Sequence, residues 1–462
     1  MLENLLIGAE NQFADHMSTE LRAQENRYRT VCLQKGDMSW NSRTDVTGVS
    51  ARVCDHGRYG FAASAEYTEA SVRRVLRAAT ENAHFMTNKM GAKEMDFAQT
   101  PRREFAPGRP VAEAEQKRMI EICRQVDDYI VRNYPNLVSR YVGANEESAE
   151  KYLLTSDAGN GHSTLSRCYV DFSLAVEAPD GRTVELFDAD FYYGGFGDNI
   201  YDFDAIYRKI DALYLKVMEK REGVYPETGI HTVILGGSLG GMLCHEAVGH
   251  TLEADYVRNG SVGGAMLGQT VASGLINITD FAHTYEGQAV PLPVYFDDEG
   301  VEAKDAVLIK DGQLVGYMNN REMAAYYGME PTGNARASEY INDPIIRMRN
   351  TLILPGQDRL EDMIASVDDG YYLFETNNGQ SMLNGEFLFG VVMGYEIKKG
   401  KLGRAILDTA VSGNAFDVLK SVDMVSDRIT WCKTGTCGKK GQSIMVTYGG
   451  PEIRCKIRMG GR

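Results

Sequence analysis

Two histidines and a glutamate lie within the short segment HEAVGH, at positions 245–250. Imidazole nitrogens commonly bind zinc, and a nearby glutamate can act as a general base in hydrolysis. His245 and His250 would each donate one ring nitrogen, while Glu246 would take a proton from the water that the metal activates. A motif this short also arises by chance, so the segment alone leaves a metal site and an ordinary helix as equal alternatives.

The spacing of the two histidines differs from that of the HExxH motif of zinc peptidases, where they are four residues apart. On a straight α-helix, residues five apart are offset by about 140° around the axis, and both rings could not bind one metal. A π-bulge, a distortion concentrated at functional sites, would realign them, and Gly249 would tolerate it. Alternatively, the helix ends near Gly249 and His250 lies on the following turn.

A catalytic zinc site needs a third protein ligand and an open position for water. Glu253 is close in sequence to His250, but it could equally face solvent or support a ligand from outside the metal shell. Cys437 lies in KTGTCGKKGQ, where Lys439 and Lys440 would favour a thiolate. From the residues alone, Cys437 is only modestly preferred to Glu253.

The composition is that of an ordinary globular protein without nucleic-acid or membrane partners. The chain has 462 residues, 43% of them hydrophobic, and a net charge of -15. Phosphate binding needs clustered Lys and Arg, so this charge argues against nucleic acid. The N-terminus has no basic region, and the longest apolar run, near FLFGVVMGY, is too short to span a bilayer. Eight scattered cysteines without a CxxC pair indicate reduced thiols in a cytoplasmic protein.

The first half of the chain mixes helices with antiparallel strands. Apolar spacing predicts a helix over residues 2–20, and short strands then form a meander between about Tyr28 and Tyr67. Thr68 can cap a second helix, and two more are predicted at 111–133 and about 202–220. Strands between these last two include a hairpin at Asp180-Gly181.

The charged segment EKREGVYPETGIH places a domain boundary near residue 225. Beyond it, HTVILGG predicts a strand, followed by the helix that carries HEAVGH. YFDDEG, VLIKDGQLVGYM and YEIKKGKLG are predicted as strand-turn-strand units, with helices near 320–327, 358–368 and 414–421. The expected class is α+β, with an N-terminal α/β sandwich of antiparallel strands over 1–224 and a largely β C-terminal domain over 225–462.

Several long segments resemble the TldD/PmbA family of metallopeptidases, whose founding members were once described as modulators of DNA gyrase. HEAVGHTLEAD resembles the HExxxH segment of that family. DDEG at 297–300, VLIKDGQLVGYM, GMEPTGNARAS, PIIRMRNT and TGTCGKKGQS follow in the expected order, and GRYGFAASAEYTEASVRRVLRAA matches the N-terminal part. The likeness covers most of the chain and is strongest from about 235 to 445.

The resemblance implies a catalytic, TldD-type subunit, because the TldE (PmbA)-type subunits lack HExxxH. It implies His245, His250 and Cys437 as metal ligands and Glu246 as the general base. Family members cleave short or unfolded peptides, and the TldD–TldE pair is a heterodimer with its active site in a closed cavity. A heterodimer with a TldE/PmbA-type subunit and a homodimer are both open for this chain.

The expected activity is that of a zinc-dependent peptidase acting on unstructured peptides. A thiolate ligand makes the metal a weaker Lewis acid, so iron is an alternative to zinc. A non-catalytic peptide-binding or assembly subunit with a structural metal is the rival hypothesis, which a closed four-ligand site including Glu253 would favour. A metal-dependent hydrolase of a non-peptide amide would use the same residues.

Two further features are open at this stage. Arg347 and Arg349 alternate on an expected strand, where they could hold a peptide carboxylate or form salt bridges at the surface. The glycine-rich GGSLGG matches no phosphate-binding pattern, and close packing of the helix against a sheet is the preferred interpretation.

Overall fold

The structure is a computed structural model that describes residues 5–93, 95–106, 108, 115–198 and 202–460. Within these ranges, no helix combines the length and the apolar composition needed to cross a bilayer. The α-helices are α1 (Glu69–Met90), α2 (Gln116–Asn133), α3 (Phe203–Arg221), α4 (Gly237–Met242), α5 (Ala254–Arg258), α6 (Arg321–Tyr327), α7 (Leu360–Ala365) and α8 (Ala415–Lys420). Turns of 3-10 helix cover Ala9–Gln12, His250–Leu252 and Val262–Ala265, and a π-helix covers Leu243–Gly249.

The strands of the first half of the chain are β1 (Ser18–Gln34), β2 (Asp37–Asp55), β3 (Arg58–Ser64), β4 (Glu104–Phe105), β5 (Ser139–Thr155), β6 (Asn160–Glu177) and β7 (Thr183–Tyr193). Those of the second half are β8 (Gly229–Leu235), β9 (Ile278–Phe281), β10 (Thr284–Tyr285), β11 (Gln288–Ala289), β12 (Ala306–Lys310), β13 (Gln313–Leu314), β14 (Ala335–Arg336), β15 (Ile345–Ile346), β16 (Asn350–Ile353), β17 (Asp369–Ser381), β18 (Glu386–Lys398), β19 (Lys401–Ala405), β20 (Thr409–Asn414), β21 (Met424–Val425), β22 (Thr430–Cys432), β23 (Thr436–Lys439), β24 (Gln442–Met445), β25 (Thr447–Gly450) and β26 (Ile453–Met459).

The first half forms one sheet in the order β3-β2-β1-β5-β6-β4, with β7 added on β6. Its long strands pair antiparallel. Leu21, Ala23 and Val31 share one face of β1, since side chains alternate along a strand, and they pack in the same cores as the buried faces of α1 and α2. The opposite face of β1 carries buried polar residues. Two of them, Gln24 and Asn26, donate hydrogen bonds to the backbone carbonyl of Ser338 in the second half. The predicted α/β sandwich is confirmed.

The second half is largely β, as predicted. A six-stranded sheet has the order β13-β12-β9-β16-β25-β22. A seven-stranded sheet has the order β17-β8-β26-β20-β18-β19, with β21 added on β26. Because β17 also pairs with β18, five of its strands form a closed ring. The predicted hairpins β12–β13 and β18–β19 and the three predicted helices (α6, α7 and α8) are all present.

The predicted helix over residues 2–20 is wrong; its first residues lie outside the described ranges. Among the described residues before β1 begins at Ser18, only Leu5 and Leu6 are α-helical, and a 3-10 turn covers Ala9–Gln12. Leu5, Leu6 and Phe13 pack against the core beneath α1 although no continuous helix joins them, so their spacing reflects that core. The strands after Tyr28 were also predicted too short, because much of the β1–β2 hairpin is exposed and lacks a buried face.

The capped helix and the hairpin of the first half are confirmed. The hydroxyl of Thr68 accepts the backbone N–H of Ser71 at the start of α1. Gly181 has the positive φ (82°) that a tight turn between β6 and β7 requires. The helix predicted from residue 111 begins at Gln116, and residues 111–114 lie outside the described ranges.

YFDDEG does not form the predicted strand-turn-strand unit. It has a single antiparallel bridge, Phe296↔Glu302, and its acids are buried where the two halves meet. Lys151 of β5 donates to Asp298 (2.6 Å) and Arg52 of β2 donates to Glu299 (2.7 Å). The acidic run therefore provides ionic contacts to the first sheet.

The boundary predicted near residue 225 falls between α3, which packs in a core of the first half, and β8, which belongs to a sheet of the second half. One core cluster nevertheless includes Met393 and Leu407 of the second half together with residues of α2 and α3. The division into domains 1–224 and 225–462 stays a prediction.

Candidate metal centre

The glycine-rich segment before HEAVGH brings a helix into contact with a strand. A Cβ on Gly237 would lie 2.1 Å from the carbonyl oxygen of Gly450, and one on Gly241 would lie 2.6 Å from Cα of Gly449. Both partners belong to β25. Glycine at these two helix positions permits the approach, which confirms close packing as the role of GGSLGG.

The helix carrying the two histidines is distorted in the way the spacing predicted. Residues Leu243–Gly249 are π-helical, and the backbone N–H of His250 donates to the carbonyl of His245. This i→i+5 hydrogen bond is the defining bond of a π-turn. His250 then starts a 3-10 turn, so the helix also changes at Gly249. The two imidazole rings consequently come together, with centroids 5.3 Å apart.

Gly249 is required for space. Its φ and ψ of -56° and -52° are right-handed helical and open to any residue. However, a Cβ there would lie 2.2 Å from the Sδ of Met348, a fully buried side chain. Glycine at this position is thus compatible with the predicted distortion, but the constraint that the structure shows is space for Met348.

The structure brings His245, His250 and Cys437 together, although Cys437 is far away in the chain. One ligand atom from each lies within 4.8 Å of the others. The Sγ of Cys437, on β23, is 3.3 Å from Nε2 of His250. Ligands on a tetrahedral zinc, with bonds of about 2.0–2.3 Å, are separated by roughly 3.5 Å, so this spacing fits a zinc ion.

The environment of His245 also fits a metal. The residue is 1% exposed, and neither ring nitrogen has a hydrogen-bond partner among the described residues. A buried polar atom without a partner is costly. Binding a metal would satisfy one of the two nitrogens.

The charges of the cluster favour a thiolate. Burial alone would raise the pKa of the Cys437 thiol, but the rings of His245 and His250 lower it to about 4. Burial alone would lower the pKa of His250, but Glu253 and Cys437 raise it well above its usual range. Lys439, predicted to favour the thiolate, is instead paired with Glu253 and Asp255. The thiolate, the form that binds metals, is thus already stabilised by the neighbouring rings.

Glu246 lies at the open side of the cluster. Its carboxylate is 3.8 Å from Nε2 of His250, and its side chain is 28% exposed, more than that of His250 (13%). Ser381, at the end of β17, donates its hydroxyl to the backbone carbonyl of Glu246 (2.7 Å). A carboxylate beside a metal position and open to solvent is suited to exchange protons with water.

Glu253, the alternative third ligand, lies on the other side of the His250 ring. Its Oε2 is 2.9 Å from Nδ1 of His250, whereas Nε2 of that ring faces Cys437. Its side chain is fully buried, and Lys439 and His250 lower its pKa against the effect of burial. The ring therefore separates Glu253 from the position between the three ligand atoms.

Arg347 and Arg349 are neither a surface pair nor on one strand, because both are fully buried and lie between β15 and β16. Arg349 forms a buried ion pair with Asp280 (2.8 Å). Arg347 donates to the backbone carbonyls of Cys437 and Gln442. Arg347 thus supports the hairpin of Cys437 from beneath.

Tyr448 is a neighbour of the centre that sequence patterns did not reveal. Its ring lies 5.3 Å from that of His245. Burial, together with Cys432 and Glu246, raises its pKa. With 25 tyrosines in the chain, no local pattern distinguishes this one.

Comparison with known proteins identifies the family of the chain. The family model described as "PmbA/TldA metallopeptidase C-terminal domain" matches residues 228–461, and "PmbA/TldA metallopeptidase domain 1" matches residues 19–83. The chain is 28% identical over 423 residues to the zinc metalloprotease TldD homolog of Saccharolobus solfataricus, covering 90% of each. It is 31% identical over 466 residues to the metalloprotease TldD homolog of Buchnera aphidicola from Acyrthosiphon pisum, covering 96% of this chain and 92% of that relative.

The fold is shared with a solved structure. The crystal structure of TldE from Thermococcus kodakarensis matches with a TM-score of 0.75, covering 99% of each chain at 19% identity. At this identity the likeness concerns the fold alone. Together with the family models and the metalloprotease relatives, these findings show that the chain belongs to the PmbA/TldD family of metallopeptidases, hydrolases that cut peptide bonds with the help of a metal.

Proposed function

We propose that this chain hydrolyses short or unfolded peptides, with zinc held by His245, His250 and Cys437 and with Glu246 as the general base. The observation that carries the proposal is the convergence of three ligand atoms within 4.8 Å, with the Glu246 carboxylate 3.8 Å from Nε2 of His250. Three protein ligands leave the fourth position of a tetrahedral site open, as catalysis requires. The position of Glu253 beyond the His250 ring supports this open arrangement over a closed structural site.

Glu246 and the proposed metal ligands have different roles in the proposed reaction. A bound zinc ion would polarise the peptide carbonyl and lower the pKa of a water molecule to about 7. Glu246 would accept a proton from the attacking water and later donate it to the leaving amine. Its partial exposure gives it access to both, while the buried His245 and the Cys437 thiolate are held away from solvent.

An extended substrate fits the surroundings of Glu246. β17 pairs with β8 only over Tyr371–Leu373 but continues to Ser381, which bonds the carbonyl of Glu246. Beyond Leu373, β17 can therefore offer backbone groups to an added strand. A folded protein could not present its backbone in this way, whereas an unfolded peptide could.

The cysteine in the ligand set bears on the identity of the metal, and the free thiols bear on the cellular location. Zinc suits a mixed nitrogen and sulfur ligand set, and iron is the alternative, since a thiolate binds both. All eight cysteines are free thiols, which supports a reducing, cytoplasmic location.

A second subunit is proposed as part of the working enzyme. The turn between β17 and β18, next to Ser381, exposes Met382 (65%), and Leu388 on β18 is also exposed (54%). Exposed apolar side chains beside a site suit a partner surface or a substrate. The partner is either a second copy of this chain or a TldE/PmbA-type subunit. Light scattering on the purified protein, alone and mixed with such a subunit, would distinguish the two.

The first test is metal content, measured by mass spectrometry on protein purified without added metal. We expect about one zinc or iron per chain in the wild type and in Cys432→Ser, a matched control, and loss of the metal in His250→Ala and Cys437→Ser. Full occupancy in Cys437→Ser would remove that residue from the ligand set.

The second test is cleavage of an unstructured peptide by Glu246→Gln. This variant keeps the size of the side chain but has no carboxylate to accept a proton. We expect its metal content to be unchanged and its kcat to fall by ~100-fold or more, the contribution of a general base. Wild-type turnover by Glu246→Gln would assign the general base to another group.

A further inference from the structure

Glu253 and Lys439 form a buried ion pair between the two elements that carry the metal ligands. Glu253 follows the 3-10 turn that begins with His250, and Lys439 ends β23, two residues after Cys437. Their charged atoms are 3.2 Å apart, and both side chains are 0% exposed. The two elements are widely separated in sequence, so this contact exists only in the folded chain.

Each member of the pair has additional partners that fix its position. The same Glu253 oxygen bonds Nδ1 of His250 (2.9 Å). Lys439 also donates to Asp255 (2.7 Å) and to the carbonyl of Ile346 (2.9 Å). The ring of Tyr256 covers the ammonium group at 4.2 Å. Both groups are therefore held in a single arrangement.

The geometry divides the two nitrogens of His250 between two functions. When a metal binds, the carboxylate on Nδ1 keeps a proton on that nitrogen, so Nε2, the atom facing Cys437, is the nitrogen left to bind it. Because the carboxylate is negative, it also strengthens Nε2 as a donor to a cation. Lys439 meanwhile fixes the carboxylate and draws the Cys437 strand against the helix.

We propose that the Glu253–Lys439 pair is a positioning device that sets the orientation of His250 and the approach of Cys437 together, so that the two ligands move as one unit. This inference rests on the proposed metal site. It assigns no proton transfer to either residue, since neither faces the open side of the centre.

The test is cobalt(II) binding to metal-free protein, read in two ways. Competition with a chromophoric chelator gives the affinity, and the near-ultraviolet charge-transfer band of the cobalt–thiolate bond reports on Cys437. For Glu253→Gln and for Lys439→Met we expect the affinity to fall by about 10–100-fold, the usual effect of losing a group that orients a ligand. We also expect the thiolate band to shift or weaken in both.

The double variant and a neighbouring lysine sharpen the result. In Glu253→Gln/Lys439→Met the loss should be clearly smaller than the product of the two single losses, because both changes break one contact. Lys440→Met is the matched control: this lysine is 49% exposed and bonds Asp255 (3.2 Å). Its affinity and band should match those of the wild type.

Wild-type affinity and an unchanged band in Glu253→Gln would overturn the inference, and so would fully multiplicative losses in the double variant. A merely structural role predicts a lower melting temperature of the metal-free protein with both metal readouts unchanged. If Glu253→Gln does not fold, Glu253→Asp keeps the charge but is too short to reach His250, and the same loss is expected. A wild-type protein that binds cobalt without any thiolate band would instead contradict the proposed ligand set.

Discussion

Replacement of Gly249 by alanine tests whether the shape of the π-helix depends on space beside the second histidine. The new Cβ would lie 2.2 Å from Sδ of Met348 and 3.3 Å from the carbonyl oxygen of Cys244. Non-bonded heavy atoms prefer about 3.5–4.0 Å, so the methyl group is at least ~1.3 Å too close to the sulfur. Met348 is fully buried and cannot move into solvent. Either Met348 or the helix must therefore shift.

Two opposing contributions set the expected change in stability. Overpacking in a core costs about 1–3 kcal/mol. Alanine in a helical conformation gains about 1 kcal/mol over glycine, and Gly249 is helical. The free energy of unfolding should thus fall by only ~0–2 kcal/mol. Metal affinity should fall at least ~10-fold, because the residue after the methyl group is the proposed ligand His250.

Chemical denaturation and chelator competition would measure both effects, and two further variants isolate the cause. Gly240→Ala places a methyl group in the preceding helix α4, where the nearest atom is 3.7 Å away; it should stabilise by up to ~1 kcal/mol and leave the affinity unchanged. In a Met348→Ala background the overlap disappears, so adding Gly249→Ala should become stabilising and should not weaken metal binding further. Wild-type affinity in the single variant, or an equal loss in both backgrounds, would refute the explanation.

Two further predictions concern charges. In metal-free protein, the thiolate absorbance that is lost in Cys437→Ser should titrate with a midpoint at about pH 4 instead of near 8.5. The lowered pKa keeps the sulfur ionised above that midpoint, and His250→Ala should therefore move the transition to higher pH. An unchanged midpoint in this variant would contradict the role of the ring. Asp280→Asn should lower the free energy of unfolding by about 3–5 kcal/mol, since it leaves Arg349 charged and buried. The exposed pair Lys398–Asp369 is the control for the second prediction, and Lys398→Met should leave the unfolding midpoint in urea almost unchanged.

Local sequence signals predicted those elements whose causes are local. Thr68 caps α1 through a bond to a residue three positions later, and the turn at Gly181 depends on its own φ. Likewise, the five-residue spacing of His245 and His250 predicts a distorted helix if both bind one metal, and the structure has one. In each case the deciding interaction lies within a few residues.

Features decided by distant contacts were predicted wrongly or left open. The chain before Ser18 has helical apolar spacing, but β1 has two long neighbours to pair with, and the apolar residues before it are buried under α1. The sequence predicts that Lys439 stabilises the Cys437 thiolate, whereas in the folded chain its ammonium group forms ion pairs with Glu253 and Asp255. Glu253 itself could not be assigned from sequence, because its role depends on which edge of the His250 ring faces Cys437.

The position of Cys437 illustrates the same limit and has a physical consequence. β23 and β24 form a two-stranded sheet of four residues each, and such hairpins are marginally stable alone. Buried cations hold this one: Arg347 donates to the carbonyls of Cys437 and Gln442, and Arg336 donates to that of Met445 (3.1 Å). Neither arginine has a carboxylate within salt-bridge distance among the described residues, so their charge is neutralised in part by backbone carbonyls. An acidic protein thus buries positive charge beneath Cys437, the proposed ligand, and hydrogen bonds from that charge fasten the hairpin.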